Sequence, residues 1–121
     1  MKALHLGLAL ALFVAAGPAF AADVSITGEL VDQTCYLKDK TANRGVAHQD
    51  CATNCAMKGQ TVAIVTDDGQ VYAVAGDLTK DKNMILAPHM SHRVVLTGDV
   101  SEKDGVKIIN ATTLKMAPPR F

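Results

Sequence analysis

The chain has no tryptophan and only 4% aromatic residues, so it lacks the flat, rigid surfaces on which sugars and nucleobases stack. It carries no excess of either charge. The 12 Lys and Arg balance 12 Asp and Glu, which argues against nucleic acid as a partner, because backbone phosphates are held by a cationic surplus. Glutamate is scarce: Glu29 and Glu102 are the two in the chain, and no carboxylate pair reads as a general acid and base. Gly-x-Ser-x-Gly, a phosphate loop, a dinucleotide fingerprint and His-Glu-x-x-His are all missing, which removes the common hydrolase and nucleotide chemistries. Asp67, Asp68, Asp77 and Asp81 do not have the spacing of a calcium loop and read as solvated turns. The chain is therefore read as non-catalytic, with thiol redox chemistry as the one enzymatic alternative.

Long apolar runs are lacking too. The longest, Leu6 to Ala16, falls short of the roughly 20 residues that span a bilayer. It follows Lys2 and is broken by Gly17-Pro18 before Ala19-Phe20-Ala21, the pattern of a secretory signal peptide with small residues at the cleavage site. Residues 1–21 are expected to be that leader, with cleavage after Ala21 or alternatively Ala22. The remaining 22–121 then form one domain, periplasmic or secreted, with no membrane span after cleavage. Removing Lys2 leaves 11 basic against 12 acidic residues, 11 minus 12, so near-neutrality survives processing.

What the chain does have is aliphatic alternation. Val24, Ile26, Gly28 and Leu30 alternate with Ser25, Thr27 and Glu29, the period of a half-buried strand. Thr61 to Thr66 and Gln70 to Ala75 flank Asp67-Asp68-Gly69, a hairpin signal. A second hairpin pairs His92–Val100 with Gly105–Thr112 across Ser101 to Asp104. Between the first two strands, Ala47 to Lys58 holds helix formers with Gly59 as a C-terminal stop. Asp50 is the N-cap candidate, which starts the helix near Cys51. The connection from Leu78 to Arg93 reads as a loop with one helical turn. Pro118-Pro119 exclude Lys115 to Phe121 from a central strand. Five short strands in this order predict a mainly β chain forming a small, partly open barrel with a short helix inserted between strands 1 and 2.

The chemistry concentrates in three cysteines, an odd number that cannot all pair within the molecule. Cys35, His48, Cys51 and Cys55 fall in one segment. On a helix reaching back to His48, steps of three and four residues hold His48, Cys51 and Cys55 within an arc of about 60°. With Cys35 they make a Cys3His donor set, suited to zinc or copper(I). Exported thiols meet an oxidising compartment and must be metallated, paired or reactive. The alternatives are thus a disulfide from Cys35 to Cys51 or Cys55 in a stapled module that binds a periplasmic protein, or a redox thiol activated at the helix N-terminus. A bridge from Cys51 to Cys55 suits a helix poorly, because the two Cβ vectors run nearly parallel. A second group, Met84 with His89, Met90 and His92, has copper-binding side chains, but Met84 to Leu86 reads more simply as a core-facing run and the two histidines as loop residues.

Together, Gly28 to Asp32, Cys35-Tyr36-Leu37, His48-x2-Cys51-Ala52-x2-Cys55, Gly59 to Val62, Asp68 to Tyr72, Val94 to Gly98 and Asp104-Gly105 resemble a family of small exported bacterial proteins. That resemblance spans nearly all of residues 22–121. It implies an OB-fold-like barrel and the grouping of Cys35, His48, Cys51 and Cys55, and it names no metal.

Overall fold

The computed structural model describes residues 23–119. The expected leader, residues 1–21, lies outside them. Five strands, β1 (Val24–Asp32), β2 (Val62–Thr66), β3 (Val71–Ala75), β4 (Arg93–Lys103) and β5 (Val106–Met116), dominate a mainly β architecture. They pair in a ring, β1-β2-β3-β5-β4 and back to β1. All neighbours are antiparallel except β3 and β5, which run parallel from Tyr72↔Lys107 to Ala75↔Asn110. Ring closure gives every strand two partners, which leaves no edge to template aggregation.

Inward-facing aliphatic side chains fill the ring. Ile26, Leu30, Ile64, Leu96 and Ile109 belong to one cluster with Leu86 and Met90 from the β3–β4 connection. The alternation along β1 holds through Ile26, Gly28 and Leu30, then ends in three consecutive buried residues, Leu30, Val31 and Asp32. Burial on both faces follows from a second, smaller cluster, in which Val31, Ala63 and Val65 are covered by Tyr36.

The β1–β2 connection contains more helix than the sequence suggests. A first helix, α1 (Gln33–Lys38), starts directly after β1 and carries Cys35, which the alternation had left at a strand end. A 3-10 turn, Val46–His48, then leads into α2 (Gln49–Met57). The expected Asp50 cap is displaced into the first turn, and His48 takes the cap position without a side-chain bond. Gly59 does end α2, with φ of 84° and its N–H donating to the Ala56 carbonyl. Ala52 and Ala56 are the buried residues of α2, and both join the main cluster.

The β3–β4 connection is pinned to α2 by Asn83. This residue is 4% exposed and donates through Nδ2 to the carbonyls of Ala56 and Gln60, both at 2.9 Å. It thereby gives the Ala56 carbonyl, which already accepts the Gly59 N–H, a second donor and ties the chain after α2 to the β3–β4 connection. Asp81, Lys82 and Asn83 adopt φ of 54°, 54° and 59° to deliver it. Two expectations are corrected here. Met84 and Ile85 are 67% and 50% exposed rather than core-facing, whereas Leu86 is buried. The last strand reaches Met116 and so includes Lys115, because Pro118 and Pro119 remove donors only beyond the Ala117 N–H, which still donates to the Arg93 carbonyl. Among the described residues, no helix is long and apolar enough to cross a membrane.

Candidate metal site

Asp32 is where β1 becomes α1. Its backbone is held in the sheet opposite Val62, and one carboxylate oxygen, Oδ1, accepts the Thr34 N–H at 3.1 Å as a helix cap. That cap puts Cys35 in the first turn of α1 and turns its thiol back over the strand end. The Cys35 carbonyl accepts from the Asp39 N–H and, at 2.6 Å, from Asn43 Nδ2. The loop beyond α1 is tied twice more. Asp39 accepts the N–H groups of Thr41 and Ala42, bonds that hold its carboxyl below the usual range. Glu29 accepts the Gly45 N–H at 3.0 Å and faces Arg44 at 3.6 Å. The chain is thereby returned to β1 just before the turn that carries His48.

The donors then sort by depth. A carboxylate oxygen of Asp32 and the Sγ atoms of Cys35 and Cys55 all lie within 4.8 Å of one another. Asp32 is 1% exposed, and the Cys35 and Cys55 thiols hydrogen-bond to it. Cys35 and Cys55 are half-buried, whereas Cys51 is exposed. Docking of α2 through Ala52 and Ala56 explains that difference. At about 100° per residue, Cys55 sits about 60° from Ala52 and about 100° from Ala56, at the margin of the buried stripe, and Cys51 sits about 100° and about 140° from the same two residues, farther round. His48 lies outside the 4.8 Å group, with its Nε2 buried and unpartnered. Of the four residues singled out in the sequence, the fold thus brings Cys35 and Cys55 together and holds His48 and Cys51 farther out on the α2 side. Asp32 was not singled out. The available signal was an Asp three residues ahead of a Cys, which is the cap spacing of a helix, but the alternating pattern of β1 gave no reason to start one there.

Electrostatics keep both inner thiols protonated. Cys35 is raised from its ordinary value first by hydrogen bonding to Asp32, then by burial and by the Asp32 charge, with Lys38 opposing. Cys55 is pushed up to about 11, chiefly by burial and then by Asp32, with Cys51 and Cys35 adding to the effect. At pH 7 a thiol of that kind is ionised in roughly one molecule in 10⁴, which makes it a poor nucleophile.

A stability change with a definite sign follows. The folded Cys55 holds its proton more tightly than an unfolded thiol of pKa about 8.5, so its contribution is complete below about 8.5 and is lost as the pH rises towards about 11. The denaturation midpoint of the reduced, metal-free protein should fall across that window. Cys55→Ser should flatten the fall, and an unchanged slope would show that Cys55 is not its source.

The second group is taken apart by the fold. Met90 is fully buried and fills the main cluster, while Met84 points outward. Two cavities lie elsewhere: one of about 340 Å³ beside Met57, Met84 and Pro88, and one of about 270 Å³ between α1 and the turns at Gly69 and Gly105. Neither is lined by a cysteine. Comparison with protein-family models, curated proteins and solved structures finds no match to the chain.

Proposed function

We propose that the protein is an exported, non-catalytic metal-binding domain on an OB-fold-like barrel. Cys35 and Cys55 hold copper(I) or zinc, and Cys51 and His48 complete the shell from the α2 side. The observation that carries this reading is the grouping of two thiols with a buried carboxylate. The hydrogen bonds of the Cys35 and Cys55 thiols to Asp32 carry the protons that a metal cation would replace. The half-buried thiols beside it are soft donors of the kind that zinc and copper(I) take.

The proximity of the Cys35 and Cys55 sulfurs also supports a second reading. In an oxidising compartment the pair would close a disulfide, with Cys51 left as an exposed thiol, and the domain would be a stapled module for a periplasmic protein partner. One sample separates the two. Protein isolated from the periplasm under anaerobic conditions should carry one metal per chain in native mass spectrometry and three titratable thiols once denatured. A metal-free chain two mass units below its reduced form, with one titratable thiol, would establish the stapled module instead.

A further inference from the structure

We infer that Asp32 is itself a metal ligand and that the site selects a divalent ion, zinc over copper(I). This inference rests on the metal-binding reading above, with Asp32 in place of His48 as the fourth donor beside Cys35, Cys51 and Cys55, and it adds a residue that the cysteine and histidine spacing does not contain. Its first support is geometric. Tetrahedral zinc with sulfur near 2.3 Å and oxygen near 2.1 Å requires donor separations of about 3.6–3.8 Å. The Asp32 oxygen, Cys35 Sγ and Cys55 Sγ, within 4.8 Å of one another, reach that spacing by contracting about 1 Å.

The second support is the state of the carboxylate. Asp32 is 1% exposed, on a strand paired with β2, and its Oδ1 is held by the Thr34 N–H. Such a bond fixes the orientation of a ligating carboxylate. The carboxylate is out of solvent and meets the Cys35 and Cys55 thiols, which hydrogen-bond to it, so the protons between these three groups lie where a cation would sit. The third support is charge. Three thiolates and one carboxylate around a monovalent ion sum to minus three, and around a divalent ion to minus two, a smaller penalty in a half-buried site. Carboxylate oxygen is also a usual zinc ligand, whereas copper(I) is selected by soft thiolate and thioether donors.

The test uses residues 22–121 in reduced form, as wild type and as Asp32→Asn, with zinc and copper(I) each titrated against a chelator of known affinity. Asparagine keeps the helix cap and removes the charge. Zinc affinity should fall at least about 10-fold, by analogy with the 10- to 100-fold losses at supporting residues of metal sites, while copper(I) affinity changes less than about threefold. Infrared difference spectra of the wild type, zinc-loaded minus metal-free, should contain a shifted carboxylate stretch that copper(I) does not produce. Equal zinc affinity in the two proteins, or no carboxylate shift, overturns the inference and leaves the thiol site standing. A wild type that takes up neither ion overturns the metal-binding reading itself. If Asp32→Asn does not fold, the infrared spectra of the wild type alone decide the question.

Discussion

Replacing Cys55 by serine should lower metal affinity about 10²- to 10³-fold, and Cys35→Ser should do the same. The magnitude comes from dividing the roughly 10–16 kcal/mol apparent binding free energy of a structural four-ligand zinc site among its ligands, about 2.5–4 kcal/mol each. Both residues belong to the compact group with Asp32. Each approaches from its own helix, Cys35 from α1 and Cys55 from α2, so neither can substitute for the other. Cys51 is exposed and lies outside the compact group, so Cys51→Ser should cost only about 10-fold. Chelator competition on the three single variants measures the order directly. A Cys55→Ser protein with wild-type affinity would remove the inner pair from the site. A Cys51→Ser protein as weak as Cys55→Ser would mean that the start of α2 closes fully onto the metal.

The largest stability effect is expected at Gly98. A Cβ added there would meet the Asn110 carbonyl oxygen at 2.0 Å and the Ala111 Cα at 2.9 Å. Those atoms are backbone of the paired strand, at the point where the register shifts between Thr97 and Gly98. Relief requires β4 and β5 to separate, and the same glycine also pairs with Val24 of β1, so two ladders are disturbed. Gly98→Ala should therefore cost at least about 3 kcal/mol, the upper part of the range for overpacking. For a domain of this size that lowers the melting temperature by about 12–24 °C, which circular dichroism would record. Gly69→Ala is the control. Its φ is 84°, but the space around it is open, so the cost should stay within the 1–2 kcal/mol of a left-handed backbone. Gly98 itself has no positive φ, so a loss there no larger than at Gly69 would show that β4 and β5 move apart at little cost.

Metal binding and pH are coupled through the same thiols. Each inner thiol must lose its proton on metallation, so metal affinity should rise with pH through the neutral range. Cys55, raised to about 11, sustains that rise further into alkali than an ordinary thiol would.

The alternation of Ile26, Gly28 and Leu30, the turn at Asp68-Gly69 and the stop at Gly59 were legible because each depends on residues a few positions apart, whereas the second hairpin turns at Asp104-Gly105 rather than across Ser101 to Asp104, because β4 stays paired through Lys103. The two positive φ values at Asp104 and Gly105, 52° and 77°, are those a two-residue hairpin turn demands. The arc shared by His48, Cys51 and Cys55 presupposed a helix reaching back to His48, whereas α2 begins at Gln49 and His48 lies in the 3-10 turn before it. Periodicity states which residues lie near one another on a helix, and it is silent on which way that arc faces. Packing of Ala52 and Ala56 against the ring set the direction, turning Cys55 inward and Cys51 outward. The same limit hid Asp32. Its identity as a ligand candidate depends on Cys55, 23 residues later in the chain, arriving beside it once α2 has docked. Strand and helix periods, turn chemistry and the inventory of donors are properties of neighbouring residues and were determined by the sequence alone. Which donors meet, and which of them lose their water, was decided only by the tertiary structure, because burial and proximity arise when separate elements close over one core.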